Sequence, residues 1–289
     1  MAPLEVRITS ISGETVTLFA SEDWQSRDLK DEVERASGIP RREQRIIAGV
    51  EELGDEVKLR ELGEEAFLQL TLVRRPPQQA EWLEKVASDG LELCSAPTAI
   101  RADLEVVLAA VKSDGTALRY CAEELSNNHE VVLTAVHQHW FALQYASEEL
   151  WADREVMFAA VSLHGPALLY ATLELQGDRD LVLAAVRSHG TALQYAPRFA
   201  SDLDVVLAAL RSSGFALRYA AEELRRDKSV VLVAVQQVGS ALEFASEELR
   251  GVREVVRAAV RSEVFAFNFA SAELRNDPEF ANLAEQFAE

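Results

Sequence analysis

The chain has few cysteines, few basic residues and no long apolar run, and each shortage argues against a class of protein. Only 2 of its 289 residues are cysteines, Cys94 and Cys121, which is too few for a disulfide framework. We therefore expect two free, buried thiols in a reducing compartment. Lys and Arg total 29 against 48 Asp and Glu, so the formal net charge is −19. Such a chain lacks the clustered cations that hold phosphate backbones, and we expect no nucleic-acid partner.

Membrane segments and leader sequences are also missing from the pattern. No uncharged apolar run approaches the roughly 18 residues that a membrane-spanning helix needs. The first residues, Met1 to Val6, do not show the basic and then apolar pattern of a signal peptide. The sequence thus predicts no membrane insertion and a cytoplasmic or nuclear location.

No catalytic constellation is visible in the sequence either. It contains neither a Gly-rich phosphate loop ending in Lys-Ser/Thr nor a Gly-x-Ser-x-Gly nucleophile motif. The two cysteines have neither paired-thiol nor zinc-site spacing. We therefore predict that the protein is not an enzyme and that it holds no cofactor and no metal ion.

What the sequence does contain is a repeat. A segment close to Asp-x-Glu-Val-Val-Leu-Ala-Ala-Val recurs from residue 103 almost to the C-terminus, in steps of 25 residues with one step of 24. A fixed period of this length is typical of small units that stack and bury their apolar faces against one another. The last residue of the segment falls at Val111, Val136, Val161, Val186, Leu210, Val235 and Val260.

Residues 103–127 indicate how one unit folds. Asp103 predicts a helix N-cap, and the residues after it are apolar almost all round, which indicates a helix that is buried on most sides. Gly115 is expected to end this helix in the left-handed conformation. Residues 117–125 then predict a second helix, since Leu118, Cys121 and Leu125 would share one of its faces.

The whole array is predicted over residues 81–289 as an all-α solenoid of two-helix repeats. It comprises seven units, an N-terminal variant with a more polar first helix and half a unit at residues 277–281, as expected for a stack with capped ends. The unit of 24 residues carries Pro197, where we expect a local change of direction.

The repeat resembles a known family. The stretches Glu-Val-Val-Leu-Ala-Ala-Val and Ala-Leu-Gln-Tyr-Ala-Ser-Glu-Glu-Leu, over about residues 100–280, resemble helical-repeat proteins of protists that are known only as a domain of unknown function. That resemblance implies an architecture and no activity.

The first eighty residues follow a different pattern. Residues 4–8 and 15–18 alternate apolar and polar side chains around a loop that contains Gly13, which predicts a β-hairpin. A helix is predicted from Ser26, its cap, to Gly38, which ends it. Two further strands are predicted at residues 44–48 and 67–73.

This order of elements, with its motifs, resembles ubiquitin and implies an α+β ubiquitin-like (β-grasp) domain at residues 1–75. The terminal Gly-Gly that conjugation needs is replaced by Arg74-Arg75-Pro76-Pro77, so the domain is an integral part of the chain. A Pro-rich linker at residues 76–80 is expected to be extended. The resemblance is carried by Ser12-Gly13, Gly38-Ile39-Pro40, Gln44-Arg45-Ile46-Ile47-Ala48-Gly49, Leu59-x-x-Leu62 and Leu68-Gln69-Leu70-Thr71-Leu72.

The ubiquitin resemblance also implies a binding surface. The apolar patch by which ubiquitin meets its receptors maps onto Ile11, Ile47 and Thr71, of which the third is polar here. This patch is a candidate docking site for receptors of the ubiquitin system. The alternative is that Ile11 only packs in the hairpin and that the patch docks on the chain's own repeats.

Within the array, the residues that break the repeat are the candidates for a binding site. Trp140 replaces the turn glycine of its unit, and Trp151 follows the leucine that ends the second helix of the same unit. Together they are candidates for an anchor pocket that holds a protein partner. The alternative is that Trp140 plugs the docking site of the ubiquitin-like domain or merely fills a gap.

Three positions recur as ladders. The position of Tyr120 is expected to be core, because its later copies include Phe244 and Phe269, with an aromatic binding stripe as the alternative. His139, His164 and His189 would lie roughly 9–10 Å apart in stacked units, too far to share one zinc ion. An acidic ladder is expected to be a solvated face, with a strip for a basic partner as the alternative. Its members are Glu124, Glu149, Glu174, Glu223, Glu248 and Glu273.

These features predict a non-enzymatic adaptor for protein–protein interaction. The ubiquitin-like domain would dock to ubiquitin-system or other machinery, while the repeats hold a protein or peptide partner. The alternative is a purely structural scaffold or assembly subunit without a role in the ubiquitin pathway. The sequence leaves the partner's identity and the oligomeric state open.

Overall fold

The computed structural model describes residues 4–21, 23–62, 67–278 and 280. It divides into two compact bodies, Met1–Glu92 and Leu93–Glu289. The first body contains a five-stranded sheet, and the elements of the second, among its described residues, are all helices. The predicted combination of a ubiquitin-like domain with a helical repeat array is confirmed.

The sheet of the first body has the strand order β2-β1-β5-β3-β4. β1 runs parallel to β5, and the other neighbouring strands are antiparallel. The predicted hairpin turns at Gly13, whose φ of 90° is unfavourable for residues with a side chain. The strands are β1 (Leu4–Ser10), β2 (Thr15–Ala20), β3 (Gln44–Ala48), β4 (Glu51–Glu52) and β5 (Phe67–Arg74).

One face of the sheet packs against helix α1 (Ser26–Ser37), because alternate strand residues are apolar. Leu29 and Val33 of α1 are fully buried against these strands. Gly38 ends the helix in the left-handed conformation, as expected. The cap differs from the prediction: Ser26 is the first helical residue, and Gln25 precedes it with its backbone N–H donated to Asp28 at 2.8 Å. The sheet side of the core comprises Val6, Ile8, Ile46, Leu68, Leu70 and Leu72.

The predicted extended linker is helical instead. Helix α2 (Pro77–Ser88) begins at the second proline, and only Pro76 keeps an extended backbone. A proline is tolerated there because the first residue of a helix has no intrahelical partner for its N–H. Trp82 and Val86 are buried, and Glu84 lies 3.7 Å from Arg42, so α2 belongs to the first body.

Each repeat unit contains one long helix followed by two short helical segments. Units 1 to 7 begin at residues 103, 128, 153, 178, 202, 227 and 252, and each long helix packs against that of the next unit. Four residues of each long helix are fully buried or nearly so, which accounts for the Val-Val and Ala-Val pairs of the motif. The long helices are α3 (Leu104–Ser113), α4 (His129–Gln138), α5 (Arg154–Leu163), α6 (Arg179–Ser188), α7 (Leu203–Ser212), α8 (Lys228–Gln237) and α9 (Arg253–Ser262).

The predicted second helix is divided into two pieces. In unit 1 a six-residue 3₁₀ helix (Gly115–Tyr120) is separated from a four-residue helix (Glu123–Ser126) by Cys121 and Ala122, which are extended. The division has a tertiary cause. Ala122 donates its N–H to the carbonyl of Arg101 in the preceding segment, at 2.8 Å, so it is not available for an intrahelical bond. The other 3₁₀ helices are Trp140–Tyr145, Gly165–Tyr170, Gly190–Tyr195, Gly214–Tyr219, Gly239–Phe244 and Val264–Phe269.

The same backbone hydrogen bond joins most successive units, at 2.8 to 3.3 Å. Unit 4 is the exception, because the residue at this position is Pro197, which has no N–H to donate. The preceding Ala196 has φ −128° and ψ 59°, whereas its counterparts are extended. The predicted change of direction stays a prediction, but the break in the bonding pattern is located there. The donor and acceptor pairs are Ala122–Arg101, Ser147–Ser126, Thr172–Trp151, Ala221–Ala200, Ser246–Arg225 and Ser271–Arg250.

The turn glycines have another role than the expected one. Gly115 does not adopt a positive φ, and the long helix ends at an extended Asp114. A Cβ on Gly115 would lie 2.3 Å from the carbonyl oxygen of Ala135 in the next unit. Glycine is therefore required because two units approach closely at this point. A Cβ would lie equally close, at 2.2 to 2.5 Å from a carbonyl oxygen of the next unit, on Gly165, Gly190, Gly214 and Gly239.

N-caps define the start of the long helices. Asp103 accepts the N–H of Val106 at 3.1 Å, as predicted. An Asp or Asn side chain does the same in units 1 to 6, whereas Val252 offers no acceptor in unit 7. The predicted half-unit at residues 277–281 lies partly outside the described residues, although Phe280 within it is fully buried.

Candidate functional site

Ile47 and Thr71 lie side by side on the outer face of the sheet. They are register partners in β3 and β5, and Thr71 is exposed while its neighbours Leu70 and Leu72 are buried. Ile47 is half-buried. The strand alternation therefore presents both residues on the face opposite α1.

Ile11 lies in the hairpin turn just beyond this pair. Ile11 follows Ser10, and Ser10 pairs with Leu72, the residue after Thr71. The side chain of Ile11 is 75% exposed. The structure thus brings Ile47 and Thr71 together and places Ile11 in the adjoining turn.

The surroundings of this patch are polar and ion-paired. Thr9, the β1 partner of Thr71, shares a hydrogen bond of 3.2 Å with Thr15 on β2. Glu52 is the β4 partner of Ile47, and its carboxylate forms ion pairs of 2.8 Å with both Arg45 and Arg75. Burial raises the pKa of Glu52, but hydrogen bonds and charge from the two arginines outweigh it and hold the pKa below its usual value. The carboxylate is therefore ionised and fixed beside the patch.

Two exposed aromatic residues on the same face were missed by the sequence analysis. Phe19 is 65% exposed and Phe67 is 40% exposed, and both align with Glu5 of β1. The Arg7 guanidinium lies 5.2 Å from the centre of the Phe67 ring. The period-2 alternation of β5 could have identified Phe67, since it falls on the same face as Thr71.

Trp140 packs in the joint between units 2 and 3. Its ring stacks on that of His164 with the centres 3.9 Å apart and the planes 16° from parallel, and it meets Phe141 edge-on at 5.3 Å. Its position corresponds to that of the turn glycines, so this joint accommodates a Cβ that the five joints with glycine exclude.

Trp151 has a different set of neighbours. Its indole N–H donates to the carbonyl of Leu143 at 3.3 Å, and its ring lies 5.7 Å from that of Tyr170. Among the described residues, no ring contact joins Trp151 to Trp140. Both tryptophans thus make packing contacts, and the anchor pocket stays a prediction.

Two rings of the histidine ladder lie closer to each other than expected. The rings of His164 and His189 lie 4.6 Å apart, because the side chains lean together, so the distance argument against a metal was wrong for this pair. The described residues still contain no group of three side chains able to hold a metal ion. His189 Nδ1 accepts the Gly165 N–H at 3.2 Å. Burial, together with the charge of His189, lowers the pKa of His164.

The tyrosine position is part of the packing, and the acidic ladder faces solvent. Every aromatic ring of this ladder is half-buried, and the Arg119 guanidinium lies over the rings of Tyr120 and Tyr145. All six ladder glutamates are exposed. The predicted exposure of the glutamates agrees with these positions. The aromatic rings pack only in part, and none of them belongs to the buried core in which the sequence placed them.

A further surface of the array, which we call the long-helix face, was missed. The fifth and sixth residues of each long helix are only partly buried, although the motif predicted burial on most sides. Phe158 is the most exposed of the fifth residues, at 38%. The face could have been predicted from the sequence, because the Val-Val and Ala-Val pairs that are fully buried occupy only part of the helix circumference. The fifth residues are Leu108, Leu133, Phe158, Leu183, Leu207, Leu232 and Arg257.

Ion pairs between units border this face on one side. Arg154 reaches Asp178 of the next unit at 2.7 Å, and Arg179 reaches Asp202 at 3.0 Å. The hydrogen bond from Arg154 is the main cause that lowers the pKa of Asp178, and Arg179 does the same for Asp202. The aspartates also cap the helices, so each pair fixes one unit on the next.

The cysteines do not form a reactive centre. Both are free; Cys94 is exposed, contrary to the expectation, and Cys121 is half-buried. Burial raises the pKa of Cys121 to about 11, so the thiol is protonated and a poor nucleophile at neutral pH. In the described part of the chain, no helix combines the length and the apolar character needed to cross a membrane.

Family comparisons agree with both halves of the structure. A model of the ubiquitin family matches residues 6–77. A model described as a domain of unknown function, DUF4116, matches three times, at residues 103–151, 153–199 and 202–250. No curated protein matches the chain. Because the repeat model covers half of the residues, the chain belongs to the DUF4116 family, and it carries a ubiquitin-family domain ahead of its repeats.

Proposed function

We propose that this protein is a non-enzymatic adaptor whose ubiquitin-like domain docks to receptors of the ubiquitin system while its repeats hold a protein or peptide partner. The observation that carries the first half is the pairing of Ile47 with Thr71 on the exposed face, with Ile11 in the adjoining turn. A receptor's apolar side chain can pack on Ile47 while its polar groups meet Thr71 and the fixed Glu52 carboxylate.

Conjugation to other proteins is not part of this proposal. The last strand ends at Arg74, and α2 starts three residues later within the same body. A covalent tag needs a free, extended C-terminus, which this connection does not offer. Docking through the sheet face is the function that the domain retains.

A scaffold without a role in the ubiquitin pathway is the second candidate. It is favoured by the polar row of Thr15, Thr9 and Thr71 across the outer face, which leaves Ile47 as the apolar residue beside them. A row of threonines binds weakly, because most of the affinity of an interface comes from buried apolar anchors.

Titration calorimetry with the full chain and a helical ubiquitin-receptor module separates the two. The adaptor proposal expects binding in the micromolar to millimolar range that Ile47→Ala weakens roughly tenfold, or about 1.4 kcal/mol. Phe19→Ala is the matched control, since Phe19 is an exposed apolar residue of the same sheet away from the patch. Absence of binding by the wild-type chain, or equal loss in both variants, favours the scaffold.

A further inference from the structure

The long-helix face carries an apolar stripe with one residue per unit. The fifth residues from Leu108 to Leu232 are apolar in six successive units, and the sixth residues beside them are mostly small. The stripe widens into two depressions, one of about 540 Å³ between α6 and α7 and one of about 510 Å³ between α4 and α5. Leu183 and Leu207 line the first, and Leu133 and Phe158 line the second.

Cations without ion pairs border the stripe on its second side. They occupy the ninth residue of four of the seven long helices, and among the described residues no ion pair is formed by any of them. In a chain of net charge −19 this is unexpected, since the cations of the opposite border are paired between units. The residues are Lys112, Arg187, Arg211 and Arg261.

The helix dipole explains only part of this arrangement. A cation in the last turn of a helix is favoured wherever it lies around the helix axis. Arg187 and Arg211, however, line the same depression as Leu183 and Leu207. The carboxylate of Asp204 also lines it, but it is paired with Arg179 at 3.1 Å. The cations and the apolar stripe therefore face the same space, which fits a ligand that is both acidic and apolar.

The spacing of the units selects the conformation of that ligand. Packed helices lie about 8–10 Å apart, and one turn of a polyproline II helix advances three residues, or about 9.3 Å. A side chain at every third residue of such a peptide thus meets one unit after another. An α-helical ligand, about 10–12 Å across, would take up the whole distance between the charged borders, which are eight residues, or about 12 Å, apart on each helix. Its turns, with a pitch of about 5.4 Å, would not match the spacing of the units.

We propose that the long-helix face binds an acidic peptide in the polyproline II conformation, with an apolar side chain at every third residue on the leucine stripe and carboxylates on the unpaired cations. This inference rests on the proposed partner-holding role of the repeats. It names the binding face and the chemistry of the partner.

The experiment uses fluorescence anisotropy with the full chain and a labelled peptide of five Leu-Glu-Pro triplets. We expect saturable binding that weakens as salt is raised, because part of the attraction is between charges. The double variant Arg187→Glu/Arg211→Glu should weaken binding roughly tenfold or more, since two attractions become repulsions. Arg198→Glu/Arg275→Glu makes the same change in net charge at exposed residues outside the face and should leave binding within about twofold.

Three further peptides decide between the alternatives. A peptide of the same composition with its leucines out of the three-residue period, and an acidic amphipathic helix, should both bind less tightly than the triplet peptide. Equal or tighter binding of either one overturns the polyproline II assignment. Preferential binding of a Leu-Lys-Pro peptide, unaffected by Arg187→Glu/Arg211→Glu, overturns the choice of face and points to the acidic ladder. If every peptide fails while receptor binding still depends on Ile47, this inference is wrong and the docking role stands.

Discussion

Gly190→Ala is the substitution whose effect the structure defines most sharply. A Cβ at this position would lie 2.2 Å from the carbonyl oxygen of Ala209 and 2.9 Å from the backbone nitrogen of Ser213. Carbon and oxygen normally approach to about 3.3 Å in such contacts, so units 4 and 5 would have to separate by about 1 Å. The carbonyl cannot turn away, because it also accepts the Ser213 N–H at 2.8 Å.

The expected cost follows from what the joint contains. Leu193 and Leu210 on its two sides are almost fully buried, and a gap of 0.5–1 Å removes about a quarter to a half of their dispersion contacts. Overpacking of this kind costs about 1–3 kcal/mol. The lost dispersion contacts increase this cost, whereas the lower entropy of the unfolded chain with alanine offsets about 0.4–1 kcal/mol of it. We expect a net destabilisation of about 2–3 kcal/mol.

Urea unfolding followed by circular dichroism measures this cost. Gly251→Ala is the matched control, because its Cβ would meet only Ser271 at 3.6 and 3.8 Å, an ordinary contact. We expect that variant to be neutral or slightly more stable than wild type. Because the cost falls on one joint of a linear array, hydrogen exchange should also speed up first around units 4 and 5. Stability of Gly190→Ala within about 0.5 kcal/mol of wild type would refute the close-approach argument.

Three other results are expected. Val252→Asp should stabilise the array by about 1 kcal/mol in urea unfolding, because it supplies the cap that α9 lacks; an unchanged or lower midpoint contradicts this. Folding lowers the pKa of His164, so the unfolded chain binds a proton at this ring more readily than the folded chain does. The neutral ring therefore contributes stability above the ordinary pKa of 6.5, and this contribution is lost as the pH falls through the lower pKa of the folded state. His164→Phe keeps a stacked ring and should reduce the pH dependence of the urea midpoint between about pH 7 and pH 5. An unchanged pH dependence would argue against His164 as its source. Iodoacetamide should modify Cys94 before Cys121, as read by mass spectrometry, because Cys94 is exposed and burial raises the pKa of Cys121 to about 11; the reverse order contradicts the burial argument.

The sequence was sufficient for features that depend on local patterns. The alternation of β1 and β5, the helix ended by Gly38 and the caps such as Asp103 follow from residues a few positions apart, and the structure has them all. The repeat period likewise predicted the stack, because each copy places the same small and apolar residues at the same joint.

The remaining features depend on contacts between units, which no single copy reveals. Ala122 bonds to the preceding segment, and this divides the predicted second helix. Gly115 is needed for the approach of Ala135 and not for its own φ. His164 and His189 come within 4.6 Å because side chains lean across a joint, a distance that backbone spacing does not predict.

The candidate surfaces follow the same division. Ile47 and Thr71 could be identified because ubiquitin-like motifs fix the register of β3 and β5. The unpaired Arg187 and Arg211 could not, since the sequence does not show which cations find carboxylates between units.

The adaptor role is tested most directly by an NMR titration of the isotope-labelled full chain with a helical ubiquitin-receptor module. The account predicts saturable shift changes at the amides of Ile11, Ile47 and Thr71, and none at Phe19 across the sheet. No change at these amides with the receptor in excess, or changes confined to other surfaces, would contradict docking through the sheet face.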